Sequence, residues 1–210
     1  MANPYPLDLR GDLLDRGLRL AYMSLGWNAL ETVVGLGAGV AASSVALIGF
    51  ALDSIVEASS AGVIVWRLRS ERSGARTAAE AETKAIRLVA VAFVALALYV
   101  GLRALLDLAA GTRPEESMVG IALALVSLVV MPVLAWRKRV VARGLDSRAV
   151  QADSRQTSLC TYLSAFLLVG LAANAWFGWW WADPAAGVAI AALAGREGIE
   201  LWRNDDLCCA

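Results

Sequence analysis

Hydrophobic residues of this chain are gathered in long stretches, and its charged residues lie in short runs between them. A hydrocarbon core of about 30 Å needs about 20 mostly apolar residues when a helix crosses it. The pattern therefore predicts six membrane-spanning helices, near residues 18–38, 43–66, 85–109, 117–136, 157–180 and 183–202. The sixth is the least apolar, because Arg196, Glu197 and Glu200 follow its apolar half within two turns. The sequence thus predicts an all-α membrane protein.

The amino-acid composition is typical of a membrane protein and excludes some kinds of chemistry. Hydrophobic residues make up 59% of the chain, above the roughly 45–50% of soluble domains. The formal net charge is zero, so no nucleic-acid partner is expected. Histidine is absent, which excludes any mechanism that uses imidazole as a base or a metal ligand. The three cysteines, two of them adjacent, do not form a disulfide framework.

Basic residues are concentrated in two of the five connections between spans. They are Arg67, Arg69, Arg72, Arg76 and Lys84 after the second span, and Arg137, Lys138, Arg139, Arg143, Arg148 and Arg155 after the fourth. The positive-inside rule places these connections, and with them both termini, in the cytoplasm. We therefore expect a cytoplasmic segment at residues 1–17, a transmembrane domain at 18–203 and a short cytoplasmic tail at 204–210, in the inner (plasma) membrane.

Several ionisable residues fall inside the predicted spans. Each costs at least about 2.5–3.5 kcal/mol at the centre of a membrane helix, so each is a functional candidate. Asp53 and Glu57 of the second span are four residues apart, which puts both carboxylates on one face of the helix. Their like charges repel unless a cation or protons lie between them. Glu31 is in the middle of the first span, with Asn28 one turn earlier; it is either a packing residue or an accessory functional group.

The fifth predicted helix opens with Asp153, Gln156 and Cys160, and the last two repeat the spacing of four. Two helices that each present two donors one turn apart can close a four-ligand metal site. The donors would be the carboxylates of Asp53 and Glu57, the amide oxygen of Gln156 and the thiolate of Cys160. Mixed oxygen and sulfur donors suit zinc or a neighbouring first-row ion, whereas Mg²⁺ and Ca²⁺ prefer oxygen alone.

These residues resemble the cation diffusion facilitator family, whose second and fifth helices each carry two metal ligands four residues apart. Residues 53–57 and 153–160 are similar to those motifs, and residues 182–184 to the start of the family's sixth helix. Gln156 and Cys160 depart from the His or Asp that the family usually has there. The resemblance implies a cation-efflux transmembrane domain of the short, membrane-only branch, which lacks the family's cytoplasmic C-terminal domain.

The resemblance also implies a function. It is efflux of a divalent cation, zinc before cadmium or other first-row ions, by proton antiport, with no organic cofactor. The coupled protons would sit on Asp53 and Glu57, with Glu31, Asn28 or Asp153 as accessory groups. A homodimer formed through the membrane helices, embedded in the lipid bilayer, is implied as well.

Alternatives remain for the whole chain and for its tail. The same ligands would serve a membrane sensor or scaffold that binds metal without transporting it. An enzyme is not expected, because no nucleophile–base pair and no HExxH or GxSxG motif is present. A channel would need charged rings or a filter loop. The tail residues Asp205, Asp206, Cys208 and Cys209 either capture metal at the cytoplasmic mouth or form a frayed end.

Overall fold

The computed structural model describes residues 7–72 and 78–206, apart from the side chains of residues 7–9, 78–89, 148 and 204–206. Six helices follow one another: α1 (Leu7–Ala42), α2 (Val45–Arg72), α3 (Ala78–Ala110), α4 (Met118–Leu145), α5 (Arg148–Phe177) and α6 (Ala182–Asp206). The described ranges hold no strand. The prediction of an all-α protein with six helices is confirmed, and every helix is longer than the apolar span that predicted it.

Four helices in the described part of the chain are long and apolar enough to cross a membrane: Val45–Arg72, Ala90–Ala110, Met118–Leu145 and Ala149–Phe177. Helices α1 and α6 are not among these four. Large apolar side chains also cover the exterior, as at Leu98 and Leu102 of α3, which are 69% and 61% exposed. Such a surface suits lipid rather than water, and the protein is a multi-pass membrane protein.

Helix α2 is at the centre of the bundle. It packs against α1, α3, α5 and α6, and its residues Ala46, Leu47, Phe50 and Ala51 are fully buried. Helix α4 packs against α1 and α5. The polar side chains of Asp53, Ser54 and Glu57 on α2 are therefore enclosed by other helices and not presented to lipid. The end of the bundle that holds the α2–α3 and α4–α5 connections, rich in arginine, is called the basic end below.

Helices α1 and α2 approach closely at the end opposite the basic end, because α1 has glycines there. A Cβ atom on Gly35 would lie 2.9 Å from the Cβ of Ala51, and one on Gly39 would lie 2.8 Å from a side-chain carbon of Ile48. A Cβ on Gly37, by contrast, would meet nothing within 4 Å. The face of α1 that contacts α2 thus includes Gly35 and Gly39, which allow the two backbones to pack tightly.

Asp183, the second residue of α6, caps the start of α2. The Ser44 hydroxyl donates a hydrogen bond to Asp183 Oδ1, and the backbone N–H of Val45 donates to Oδ2 at 3.0 Å. The first turn of α2 has no acidic residue of its own. A carboxylate at a helix N-terminus pairs with free N–H groups and the positive end of the helix dipole. The residues around Asp183 therefore link α6 to α2 far from the basic end.

The α4–α5 connection differs from the sequence prediction. A basic loop was expected between residues 136 and 157, but α4 continues to Leu145 and α5 begins at Arg148. Asp146 ends α4 in the left-handed conformation, with φ of 50°. Ser147 then caps α5 by accepting a hydrogen bond from the N–H of Val150 at 3.4 Å. The basic residues of this segment consequently lie on helical faces, and one of those faces is buried.

Candidate metal site

The two acidic residues of α2 are enclosed in the bundle and meet α5. Asp53 is 4% exposed and Glu57 is fully buried. One turn apart on the same helix, they share a face. Helix α5 packs against α2, and its residue Cys160 is fully buried as well. Three of the four predicted metal ligands are therefore buried on two helices that pack together.

A residue of α5 that the sequence analysis did not predict contacts Glu57 directly. The hydroxyl of Thr157 donates a hydrogen bond to Glu57 Oε1, with 2.7 Å between the oxygens. Asp153, Thr157 and Cys160 follow one another at spacings of four and three, so they share one face of α5. This spacing could have identified Thr157 from the sequence, but the sequence analysis paired Gln156 with Cys160 instead.

Gln156, the fourth predicted ligand, is 7% exposed. Its amide nitrogen has no hydrogen-bond partner among the described residues. Within the described contacts, Glu57 accepts a hydrogen bond from Thr157 of α5 and not from Gln156. Gln156 is thus a buried polar side chain on the same helix with an unused donor.

Lys138 of α4 reaches into the same site, which the sequence analysis did not predict. Its side chain is 2% exposed, and its Nζ atom lies 2.9 Å from Asp153 Oδ2. The same atom donates to Thr157 Oγ1 at 2.9 Å and lies 4.0 Å from Glu57 Oε1. Lys138 had been assigned to a basic loop that sets topology, and that assignment is wrong. Asp153, expected as an accessory group for protons, is its ion-pair partner.

A second polar cluster continues the site away from the basic end. Glu31 of α1 is fully buried and accepts hydrogen bonds from Trp27 Nε1 at 2.6 Å and from Ser54 Oγ at 2.9 Å. The hydroxyl of Ser127 on α4 donates to it as well. Ser54 is adjacent to Asp53 in α2, so Glu31 and the α2 carboxylates belong to one buried polar column.

Asn28, one turn before Glu31, is also fully buried. Neither of its side-chain polar atoms has a hydrogen-bond partner among the described residues, and the same holds for the hydroxyl of Ser24. Buried polar groups are nearly always paired in proteins, so unpaired ones need an explanation. Along α1 the column thus contains several groups able to bind water, protons or a passing ion.

Unpaired acceptors are present at the centre of the site too. Glu57 Oε2 and Asp153 Oδ1 are buried without a hydrogen-bond donor in the described part of the chain. In that part, no three His, Cys, Asp or Glu side chains are grouped so that they could hold a metal ion. The site is therefore an incomplete coordination shell, and its side chains must move before they can surround an ion.

The predicted capture site in the tail lies largely beyond what the structure describes. Asp205 and Asp206 are on the last turn of α6, but their side chains are not described. Cys208 and Cys209 lie outside the described residues. Metal capture by these four residues therefore stays a prediction.

Comparison with known proteins identifies the family. Residues 21–205 match the sequence profile of the cation efflux transmembrane domain, which is most of the chain. The chain belongs to the cation efflux family. The resemblance drawn from the residues of the second and fifth helices is thereby confirmed. The cation efflux family is a family of membrane transporters.

Two relatives within this family are similar over different lengths. An uncharacterised transporter of Synechocystis sp. is 29% identical over 191 residues, which cover 88% of this chain and 61% of that protein. The cation-efflux pump FieF of Shewanella oneidensis is 29% identical over 87 residues, or 41% of this chain and 29% of that pump. The chain thus spans less than two thirds of the length of either relative.

Proposed function

We propose that this protein exports a divalent metal cation, zinc before other first-row ions or cadmium, in exchange for protons. The observation that carries the proposal is the burial of Asp53 and Glu57 of α2 and of Cys160 of α5 on two helices that pack together. Similarity to a cation-efflux pump over part of the chain supports the same class of substrate. Two carboxylates and one thiolate form a donor set that suits zinc.

The proposed ligands are Asp53, Glu57, Cys160 and, as the fourth donor, the amide oxygen of Gln156. Two buried acidic side chains repel each other and are poorly solvated, so a dication between them removes the main cost of burying them. The unpaired oxygen of Glu57 is one acceptor already without a donor. Rotation of Gln156, whose amide nitrogen is unpaired, would bring its oxygen toward the same ion.

The metal ion is exchanged for protons because the site must be close to neutral when it is enclosed by apolar helices. With the site open toward the cytoplasm, the ion displaces protons from Asp53, Glu57 and Cys160. After the helices open the site to the other side, protons occupy these groups again and the ion leaves. Glu31, linked to the site through Ser54, is the accessory group that passes protons toward that side. The metal ion and the protons shift the equilibrium between the two open states only to the extent that they bind these states with different affinities.

The proposal includes an orientation and an assembly. The arginine-rich basic end faces the cytoplasm under the positive-inside rule, with residues 1–17 and 204–210 on that side and 18–203 as the transmembrane domain. The protein resides in the inner (plasma) membrane as a homodimer formed through membrane helices. The four tail residues Asp205, Asp206, Cys208 and Cys209 deliver metal to the site from the cytoplasmic side.

Purified protein in proteoliposomes tests the proposal. Zinc applied to the cytoplasmic face of the protein should move across the membrane and drive a proton flux in the opposite direction. Asp53→Asn and Glu57→Gln should abolish both fluxes, since each removes a charged ligand. Asp107→Asn is the matched control, because Asp107 is also a buried acid of the bundle, but is paired with Arg103 at 3.3 Å on α3. Full zinc and proton flux in Asp53→Asn would contradict the proposal.

The same experiment separates a transporter from a sensor. A sensor would bind zinc in detergent with the same ligands but would not move it into vesicles. Binding that is lost in Asp53→Asn, together with no flux in the wild type, would therefore favour the sensor.

A further inference from the structure

Lys138 is a buried cation in the middle of the proposed metal site. Its ammonium group lies 2.9 Å from Asp153 Oδ2 and 4.0 Å from Glu57 Oε1, and it donates to Thr157 Oγ1 at 2.9 Å. The side chain is 2% exposed, so water does not screen its charge. Its neighbours Arg137 and Arg139 on α4 are exposed. Among these three basic residues, Lys138 is the one on the buried face of α4.

Charge balance explains why a lysine is tolerated there. Asp53, Glu57 and Asp153 place three carboxyl groups in one enclosed region. A buried charge is tolerated when it is paired and hydrogen-bonded, and it is strongly destabilising when its partner is removed. When the proton has left Glu57 and a metal ion is not yet bound, the ammonium group supplies positive charge beside the carboxylates of Glu57 and Asp153.

The distances show that the ammonium group is shared unequally. It is in direct contact with Asp153 but 1.1 Å farther from Glu57. Glu57 keeps one oxygen, Oε2, without a donor among the described residues. The lysine therefore offsets part of the negative charge of the site while it leaves one buried oxygen of a proposed ligand unpaired.

We propose that Lys138 is a covalently attached counter-cation of the metal-free site. An incoming divalent ion replaces the ammonium group beside Glu57, while the ammonium group stays in contact with Asp153. This deepens the proposed function and rests on it. Two positive charges then compete for the same carboxylate in a poorly screened interior, where Coulomb interactions are strong. Lys138 is thus a positioning residue that keeps metal affinity low enough for release.

The test is zinc binding by the purified full chain in detergent, measured by calorimetry at fixed pH and salt. Lys138→Gln removes the competing charge, so its Kd for zinc should be lower than that of the wild type by about tenfold or more, which corresponds to about 1.4 kcal/mol per tenfold. Lys138→Arg retains the charge and should bind like the wild type. Arg139→Gln removes the same charge from the exposed neighbour and should leave the Kd unchanged.

Asp153→Asn tests the proposal from the other partner. Without the Asp153 carboxylate, the ammonium group should move toward Glu57 and raise the Kd for zinc. In the Lys138→Gln background the same change should have little effect, because no ammonium group is left to move. Such non-additivity is the signature of two residues that act through one contact. A merely structural role of the ion pair would instead lower the unfolding temperature in both variants without this pattern in Kd.

Failure of this inference and failure of the proposed function give different results. If the wild type binds zinc and Asp53→Asn does not, an unchanged or higher Kd in Lys138→Gln overturns the role of Lys138 alone. If the wild type binds no zinc, both proposals fail. If Lys138→Gln does not fold, Asp153→Asn decides, and an unchanged Kd in that variant overturns the inference.

Discussion

Thr157 of α5 donates a hydrogen bond to Glu57 of α2, with 2.7 Å between the two oxygens. The same hydroxyl accepts a hydrogen bond from Lys138 of α4. One side chain therefore connects three helices at the proposed metal site. Outer-shell hydrogen bonds of this kind orient the ligands of a metal ion, so Thr157 should matter for binding although it is not proposed as a ligand.

Replacing Thr157 by valine tests this connection. Thr157→Val keeps the shape but removes the hydroxyl, so Glu57 loses a donor and Lys138 loses an acceptor. We expect zinc affinity to fall by about ten- to hundredfold, the usual effect of losing an outer-shell partner, and Thr157→Ser to restore it. Calorimetric titration with zinc measures this.

Ser158→Ala is the control for Thr157→Val. The Ser158 hydroxyl donates to the carbonyl oxygen of Ser154 in its own helix, so its loss should leave zinc affinity unchanged. Equal affinities of Thr157→Val and the wild type would show that the hydroxyl does not organise the site.

Glu31 should affect proton coupling rather than metal binding. Glu31→Gln removes an acidic group but retains an oxygen that can accept from Trp27 or Ser54. We expect the zinc Kd in detergent to stay unchanged, and zinc flux in proteoliposomes to lose its dependence on an imposed proton gradient. Gradient dependence equal to that of the wild type would restrict Glu31 to a packing role, the alternative that its sequence position left open.

The sequence predicted the six helices and the acidic pair of α2 because both depend on local patterns. Apolar length predicts spans, and a spacing of four predicts a shared helical face. Lys138 was missed because a basic residue just after an apolar stretch was taken to mark a loop. A signal was present: Leu134, Lys138, Val141 and Leu145 recur at helical spacing, and all four are buried in α4.

The contact between Lys138 and Asp153 could not be predicted from local patterns at all. It depends on the two-residue turn of Asp146 and Ser147, which lets α4 and α5 remain helical to the basic end and pack side by side. Thr157 was a smaller omission, because its spacing from Asp153 already placed it on the site-facing side of α5. Long-range contacts set by helix packing thus decide which polar residues share the site.

Asp183 should contribute to stability and not to transport chemistry. Asp183→Asn removes the negative charge at the start of α2 but keeps an acceptor, so we expect a loss of about 0.3–2 kcal/mol in the free energy of unfolding and a lower unfolding temperature in detergent. Asp107→Asn should cost less, because the Arg103 partner is 53% exposed and such pairs contribute about 0–1 kcal/mol. An equal unfolding temperature for Asp183→Asn and the wild type would show that the cap does not stabilise α2.

Gly39 and Gly37 of α1 differ in the space that they leave for a side chain, so replacing each by alanine gives a test and its control. In Gly39→Ala the new Cβ would lie 2.8 Å from the Ile48 side chain and 3.0 Å from its backbone nitrogen, so α1 and α2 must separate and the protein should unfold at lower temperature. In Gly37→Ala the new Cβ meets nothing within 4 Å, and the better helix propensity of alanine should stabilise the helix by up to about 1 kcal/mol. Thermal unfolding of both variants in the same detergent is the measurement. The same change in both would contradict the close approach of α1 and α2.

X-ray absorption at the zinc edge tests most directly whether Asp53, Glu57 and Cys160 hold one ion. The protein would carry Cys208→Ser and Cys209→Ser, so that Cys160 is the last of its three cysteines, and would be loaded with one equivalent of zinc. The account predicts one sulfur at about 2.3 Å and oxygen neighbours at about 2.0–2.2 Å, with the sulfur lost in Cys160→Ser. A shell of oxygen atoms alone, unchanged by Cys160→Ser, would contradict it.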